Sequence, residues 1–341
     1  MQAPKFIHLR FHSEYSVTDG IVRIDPILHA VMERGGVAIG IADLMNIFGG
    51  LRFYTHALAA GIKPILGCDL KVRNPKDAKL PFRMGVICMD HEGYHSLCVL
   101  LTKAYLTDSD PYRGQVDPAW FDEDGAKGLI GLTGGADGEL ASLLIKGRTK
   151  EADALVERLK RQFGDALYIE LQRAGRRNDE LATAHCANFA VKHNLPVVAT
   201  HPIQFLNKED FEAHEVRCAI AEGFTLQDPR RSKLYTPEQY MKSEAEMCEL
   251  FADIPAALEN TVEIAKRCNL DNVLSKPQLP LFPTPEGMTL DDYIDHLSKE
   301  GLQKRLDFLY PDPKEQAEKR PAYDKRLEYE LGIIKGMKFP G

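Results

Sequence analysis

The segment FIHLRFHSEYSVTDG, residues 6–20, joins a short apolar run to a loop rich in polar groups. Residues 6–9 have the length and composition of a buried β-strand, and Arg10, His12 and Asp19 follow them. Imidazole and carboxylate groups are common ligands of metal ions. A His-x-His pair ending at His12 would begin at position 10, where this chain has arginine. The segment therefore indicates a strand that leads into a metal site, or into the remains of one.

Six further apolar runs follow, most of them separated by segments with helical periodicity. They span residues 37–42, 62–72, 84–89, 129–132, 167–171 and 197–200. Alternation of strand and helix predicts a parallel α/β architecture, which an open doubly wound sheet and a closed barrel both satisfy. No G-x-G-x-x-G motif follows a strand, which argues against the dinucleotide-binding form of the open sheet.

Charged and polar residues lie at the ends of these runs. They include Asp43, Asp69, Arg83, Glu170 and His201. In a barrel, catalytic residues lie at the C-terminal ends of the strands, although charged residues also mark where any strand reaches water. Asp43 and Asp69 stand in the apolar stretches IGIADLMNIFGG and PILGCDLKV. Because burying an unpaired carboxylate is costly, we expect each of them to have a partner.

Charge and composition narrow the class of protein. The formal net charge is −7, whereas a free-standing nucleic-acid binder is usually basic. No stretch approaches eighteen apolar residues, and the N-terminus lacks the apolar core of a signal peptide. The seven cysteines are odd in number and form no C-x-x-C pair, which argues against a disulfide framework and a zinc ribbon. We expect a cytoplasmic protein without membrane contact.

The C-terminal part of the chain has a different pattern. From about residue 203 the periodicity is helical, and the stretch LSKPQLPLFPTPEG at 274–287 is rich in proline, as interdomain linkers often are. Two charged helical segments follow at 289–309 and 314–337. These features predict a boundary between a large N-terminal domain and a helical segment.

Several stretches give the chain a specific resemblance. They are HLRFHSEYSVTDG, IGIADLMNIFGGLRFYTHALAAGIKPILGCDLKV, EGYHSLCVLLTKAY, YIELQRAGR, LPVVAT and the run that begins FEAHEVRCAIAEGFTLQDPRR. In these the chain resembles, over essentially its whole length, the N-terminal region of the bacterial C-family replicative polymerases, the DNA polymerase III alpha subunits. That family begins with a PHP (polymerase and histidinol phosphatase) domain, a distorted seven-stranded (β/α) barrel.

The resemblance implies a domain organisation. Residues 1–272 would form the PHP-like barrel, 273–288 the proline-rich linker, and 289–341 the helical start of the polymerase palm region. The palm aspartates of the family lie further on than residue 341, so the resemblance implies that this stretch does not itself transfer nucleotides. It would contact DNA only through the full-length protein, of which the rest of the polymerase chain is one partner.

The resemblance also locates the metal ligands of active PHP domains. The ligand-type residues that remain at those positions are His12, Asp19 and Asp69, with Asp43 beside them. Two ligand histidines are replaced by Arg10 and Arg83. Further ligand positions are lost at Leu44, Gly135, Pro202 and Gln204. A multinuclear cluster needs many anionic or imidazole ligands, so we expect no metal cofactor, and at most a weakly held Zn²⁺, Mn²⁺ or Mg²⁺.

The two arginines suggest what replaced the metals. Because arginine stays charged and pairs with carboxylates, we expect Arg10 and Arg83 to neutralise the remaining aspartates in a salt-bridge network. His8 shares a strand face with Arg10 and His12, and we interpret it as a core histidine.

The sequence is compatible with three alternative functions for the domain. The leading one is a catalytically inactive structural and docking domain, to which, as the resemblance implies, the proofreading 3′–5′ exonuclease subunit binds. The alternative is a residual metal-dependent phosphoesterase or pyrophosphatase that uses His12, Asp19 and Asp69 with help from Glu170 or His201. A sugar-phosphate-binding barrel unrelated to replication would require the resemblance to be misleading.

Overall fold

The computed structural model describes residues 3–107, 114–122, 124–271 and 282–340. The chain divides into two compact units, Met1–Val273 and Leu274–Gly341. The first unit holds the sheet, whose strands are β1 Ala38–Leu44, β2 Lys63–Val72, β3 Phe82–Cys88, β4 Leu129–Leu132, β5 Leu167–Gln172 and β6 Val197–Thr200. Its helices are α1 Ile24–Glu33, α2 Gly50–Ala59, α3 His91–Thr107, α4 Glu139–Ile145, α5 Thr149–Phe163, α6 Asp179–His193, α7 Phe211–Glu222, α8 Glu244–Leu250 and α9 Pro255–Arg267.

The described strands form one six-stranded sheet in the order β1-β2-β3-β4-β5-β6. Strands β1 and β2 are parallel, as are β4 with β5 and β5 with β6. Strand β3 runs antiparallel to both of its neighbours, so the sheet is mixed rather than parallel throughout. The predicted α/β class is confirmed, and the antiparallel strand corrects the expectation of a parallel sheet.

The first apolar run lies at the edges of this sheet without forming a regular strand. The amide N of Gly40 in β1 donates to the carbonyl of His8 at 2.7 Å, and that of His12 donates to the carbonyl of Ile203 at 3.0 Å. A β-carbon at Gly40 would lie 2.2 Å from the carbonyl oxygen of Leu9, so glycine permits this close approach. The described residues therefore form six strands, and the first of the seven predicted segments contacts β1 on one side and the chain beyond β6 on the other.

Apolar packing explains why these elements form. Every residue of β1 is buried, as expected for a strand covered on both faces. Helix α5 buries Ala152, Leu155, Val156, Leu159 and Phe163, which recur at the spacing of a single helical stripe. The sheet is thereby fixed between helices, and the polar groups at its strand ends are held in place.

The second unit is helical, as predicted. It contains α10 Leu290–Leu309 and α11 Pro313–Gly336, close to the segments expected from the sequence. Residues 282–288 of the expected linker form neither helix nor strand, and its residues 273–281 lie outside the described part of the chain. None of the described helices has the length and apolar character needed to cross a bilayer.

Candidate functional site

The polar groups identified in the sequence converge at one end of the sheet. Asp43 and Asp69 lie near the C-terminal ends of β1 and β2, and Glu170 lies in β5. Arg83 stands at the start of β3, but because β3 is antiparallel to β2, its beginning lies beside Lys71, near the end of β2. The direction of β3 is therefore what brings Arg83 to the same end as the carboxylates.

Arg10 is the centre of a buried ion-pair network. Its Nη2 lies 2.8 Å from Oδ2 of Asp69, and its Nη1 lies 2.9 Å from Oε1 of Glu170. Only 6% of the Arg10 surface is exposed. Burial disfavours the charged guanidinium, yet the two carboxylates outweigh it and raise the pKa of Arg10. The arginine therefore links the N-terminal segment to β2 and β5.

Arg83 makes a looser contact with the same carboxylate. Its Nη1 lies 3.4 Å from Oδ2 of Asp69, and its side chain is 24% exposed. Burial alone would raise the pKa of the Asp69 carboxyl, but Arg10 and Arg83 hold it well below its ordinary value. Asp69 thus has two guanidinium partners and is ionised throughout the physiological range.

Asp19 has a different set of partners. Its Oδ2 lies 3.0 Å from Nδ1 of His12 and accepts a hydrogen bond from the Tyr235 hydroxyl at 3.1 Å, and Oδ1 accepts one from the Ser16 hydroxyl at 2.6 Å. Burial lowers the pKa of His12, but the carboxylates of Asp19 and Asp69 outweigh it and raise that pKa to about 9. His12 is therefore a cation at neutral pH and supplies the positive charge that Asp19 needs.

Asp43 is bound by a serine rather than an arginine. Its Oδ1 accepts from the Ser13 amide at 2.6 Å, and its Oδ2 accepts from the Ser13 hydroxyl at 2.7 Å. Burial raises the pKa of Asp43 to about 6, against the opposing effect of these hydrogen bonds. The expectation that the arginines neutralise all three aspartates needs correction. Among the described ion pairs, Arg10 and Arg83 both bind Asp69, and Arg10 also binds Glu170.

Glu170 carries the network to the neighbouring strands. Its Oε1 accepts from Nε2 of Gln172 at 2.9 Å and from the Thr200 hydroxyl, and its Oε2 accepts from the amide of Gly134 at 3.0 Å. Gln172 in turn accepts from Nη2 of Arg176 at 2.6 Å. Four chain segments are therefore held together by hydrogen bonds around one buried carboxylate.

The four positions at which the resemblance implies a lost ligand differ in their surroundings. Leu44 is buried in the core. Pro202 and Gln204 line the cavity above the network, and Nε2 of Gln204 lies 3.2 Å from Nδ1 of His12. Gly135 has a φ of +54°, and a β-carbon there would lie 2.8 Å from the side chain of Gln172. The space for a ligand side chain at position 135 is thus taken by an amide.

His8 and His201, the other two histidines considered from the sequence, each lie against a backbone carbonyl. Nε2 of His8 lies 2.8 Å from the carbonyl of Lys242, and Nε2 of His201 lies 3.0 Å from that of Tyr240. Burial lowers the pKa of His8 to about 4 and that of His201 to about 3. Both are neutral rings in the interior, and none of the contacts among the described residues joins either ring to His12, Asp19 or Asp69.

These residues do not fit a multinuclear metal centre. Both oxygens of Asp19 and Oδ2 of Asp69 already bind hydrogen-bond donors, while Oδ1 of Asp69 is buried without one. Nε2 of His12 lies 3.3 Å from Asp69 but makes no hydrogen bond there. Across the described residues, no group of three or more His, Cys, Asp or Glu side chains has the arrangement of a metal site. Apart from Oδ1 of Asp69, the oxygens of Asp19 and Asp69 that a cation would use therefore already accept hydrogen bonds from nitrogens and hydroxyls.

A cavity of about 600 Å³ opens above the network. Arg10, His12, Asp19, Asp69 and Arg83 form part of its wall. Tyr235 and Thr236 close one side, where the Thr236 hydroxyl donates to the carbonyl of Ala174. The described site is therefore a pocket with an ionic floor.

Sequence reasoning missed several members of this site. It did not identify Ser13, Ser16 or Tyr235, and it did not pair Glu170 with Arg10. Ser13 is three positions from Arg10 and Ser16 three positions from Asp19, which is a weak local signal because serine is frequent in loops. Tyr235 is 216 residues from Asp19 in the sequence, and no local pattern indicates their contact.

The amino-acid sequence of the chain is similar to those of known proteins. The PHP domain model matches residues 8–174. The whole chain is 44% identical to DNA polymerase III subunit alpha of Vibrio cholerae, of which it covers 29%. It is 46% identical to the corresponding protein of Neisseria meningitidis serogroup A, covering 30% of it, and 43% identical to that of Escherichia coli K12, covering 29%. The chain thus spans less than a third of the length of these curated relatives.

Two solved structures are also similar to parts of the chain. A two-domain protein from Bacteroides vulgatus, described as containing a predicted PHP-like metal-dependent phosphoesterase, has a TM-score of 0.39 and 14% identity. It matches 76% of this chain and 66% of its own. An amidohydrolase from Chromobacterium violaceum, with bound sulfate and no metal, has a TM-score of 0.36 and 14% identity, and matches 62% of this chain and 96% of its own.

Proposed function

We propose that this chain, whose residues 8–174 match the PHP domain model, is a catalytically inactive, metal-free structural domain of a replicative DNA polymerase alpha subunit. The full-length similarity to DNA polymerase III alpha subunits supports the polymerase context. DNA synthesis would then belong to the complete polypeptide, of which this chain corresponds to a part.

The observation that carries the inactive role is the position of Arg10. Its guanidinium lies within hydrogen-bond distance of both Asp69 and Glu170, among the side chains that a metal-dependent phosphoesterase would use as ligands. A fixed cation at that point repels a second cation and occupies the carboxylate lone pairs. The ionic network then performs the structural task that a bound metal cluster would otherwise perform, which is to join distant strand ends.

We further propose that the domain docks the proofreading 3′–5′ exonuclease subunit of the replicase. The resemblance to the alpha subunits supports this partner, and the net charge of −7 favours contact with protein over contact with a phosphate backbone. The test is size-exclusion chromatography of this chain with the purified exonuclease subunit, and we expect co-elution. Binding of the exonuclease to the full-length polymerase but not to this chain would contradict the docking proposal.

The inactive role is tested by hydrolysis assays. Hydrogen-bond donors already occupy both oxygens of Asp19 and Oδ2 of Asp69. We therefore expect that, with added Mn²⁺ or Zn²⁺, the chain hydrolyses p-nitrophenyl phosphate and pyrophosphate no faster than an Asp19→Asn variant does. His12, Asp19 and Asp69 do lie together, which is the one feature that favours the residual phosphoesterase. A metal-dependent rate that Asp19→Asn abolishes would establish that alternative and refute the inactive role.

A further inference from the structure

The cavity above the ionic network differs in charge from the rest of the chain. Its lining includes five arginine and lysine side chains and the His12 cation, against three acidic side chains; these are Arg10, Arg83, Arg176, Arg177 and Lys233, and Asp19, Asp69 and Asp137. The chain as a whole carries −7. A concave site of one sign within a protein of the opposite sign concentrates oppositely charged ligands.

The floor of the cavity has donors that the network leaves unused. A guanidinium carries five N–H groups, yet the described contacts of Arg83 amount to one hydrogen bond, 3.4 Å long, to Asp69. The side chain of Arg83 is 24% exposed. Arg83 can therefore hold Asp69 and still direct N–H groups toward the cavity.

The rim adds two cations that have no ion-pair partner among the described residues. Arg177 and Lys233 are exposed and line the cavity, and within the described ranges neither has an ion-pair partner. Arg176, by contrast, is bound to Asp137 and Asp179. The surplus positive charge of the cavity thus lies at its entrance and at Arg83, where a ligand would meet it first.

The cavity also has the size and enclosure of a ligand site. Its volume of about 600 Å³ lies within the range of roughly 300–1,000 Å³ that small-molecule pockets occupy. The segment around Tyr235 is fixed over it, because the Tyr235 hydroxyl donates to Asp19 and the Thr236 hydroxyl to Ala174. A ligand would therefore enter a preformed pocket rather than a flat basic surface.

We propose that this cavity binds a small multivalent oxyanion directly through Arg83, Arg177 and Lys233, without a metal ion and without cleaving it. The inference rests on the metal-free state proposed above and goes beyond it, since a structural role needs no ligand. Phosphates and polycarboxylates share the chemistry that guanidinium groups recognise, so the experiment includes both.

The experiment is isothermal titration calorimetry of the chain with inorganic phosphate, pyrophosphate and citrate, after passage over a chelating resin. A resin is used because soluble chelators are themselves polycarboxylates. We expect saturable binding that an Arg177→Ala/Lys233→Ala double variant weakens by roughly tenfold or more, as loss of charge-assisted contacts predicts. The matched control is Arg161→Ala/Lys150→Ala, which removes the same charges at exposed positions outside the cavity and should leave affinity unchanged.

The outcomes of this experiment distinguish the oxyanion site from the metal-free structural role. Binding of phosphate and pyrophosphate but not citrate would identify the ligand as phosphorylated, and the reverse would identify it as a carboxylate. No binding by any of the three anions, or equal loss in both double variants, would overturn the oxyanion site and leave the structural role intact. Binding that appears only after Mn²⁺ or Zn²⁺ is added would overturn the oxyanion site as proposed and the metal-free role with it.

Discussion

Arg10 and Asp69 form a buried ion pair in which Nη2 lies 2.8 Å from Oδ2, across 59 positions of the chain. The same guanidinium binds Glu170, which is 160 positions away. One side chain therefore joins the N-terminal segment to two strands that belong to different parts of the sheet.

Replacement of Arg10 by alanine should strongly destabilise the fold. The change would leave Asp69 and Glu170 buried without their shared cation, and breaking a buried pair in this way costs roughly 3–5 kcal/mol. Urea denaturation at pH 7 measures the loss. Arg161→Ala, which removes an exposed arginine from α5, is the control and should change the free energy of unfolding little. Equal stability of the two variants would show that the network is not structural.

Asp43→Asn should remove a pH dependence in the acidic range. Burial raises the pKa of Asp43 from 3.8 to about 6 in the folded protein, so the folded state binds this proton more tightly than the unfolded state. The wild type should therefore gain stability relative to the variant as the pH falls from about 6 to about 4. Denaturation curves at several pH values measure this, with Glu259→Gln, an exposed carboxylate, as the control. If the difference in free energy of unfolding between wild type and Asp43→Asn stayed the same at every pH, the raised pKa of Asp43 would be contradicted.

His12→Gln should remove a pH dependence in the basic range. The pKa of His12 is raised from 6.5 to about 9, so its charged form stabilises the fold fully below about pH 6.5. That contribution is lost as the pH rises toward 9, whereas the neutral glutamine does not titrate. NMR titration of the His12 ring gives the pKa directly. A midpoint at or below 6.5 would mean that His12 is not the cation that pairs with Asp19.

Gly135→Cys, which places a side chain of metal-ligand type at this position, should destabilise the chain. Its φ of +54° is unfavourable for any L residue, by roughly 1–2 kcal/mol, and its β-carbon would approach Gln172 to 2.8 Å. Gly147→Cys is the matched control, since Gly147 has a φ of +69° and open space around the β-carbon. We expect the larger loss of stability at position 135. Equal losses would show that Gln172 yields and that the position still accepts a ligand.

The class of fold and the convergence of the polar groups could be predicted from the sequence. Apolar runs ending in charged residues place Asp43, Asp69 and Glu170 at strand ends, and the structure has them there. The antiparallel direction of β3 could also have been predicted from the length of the connection before it. Only residues 73–81 separate β2 from β3, which is shorter than the crossover of a dozen or more residues that parallel strands need.

The pairing within the site could not be predicted in the same way. Strand periodicity places Arg10 and His12 on one face but does not say which carboxylate each meets. That choice depends on how distant segments pack in three dimensions, and in the structure Glu170 lies beside Arg10 and Asp43 beside Ser13. Tyr235 reaches Asp19 from a loop with no regular structure, for which sequence patterns give no position.

The metal content of the purified chain tests the central claim most directly. The chain would be incubated with Zn²⁺ and Mn²⁺, freed of excess ions by gel filtration and analysed by elemental mass spectrometry, beside an Asp19→Asn variant. Since Arg10, Arg83 and His12 already neutralise the carboxylates, we predict that wild type and variant retain the same background of metal. A stoichiometric ion in the wild type that the variant fails to retain would contradict the account, because it would show that the network still binds a metal.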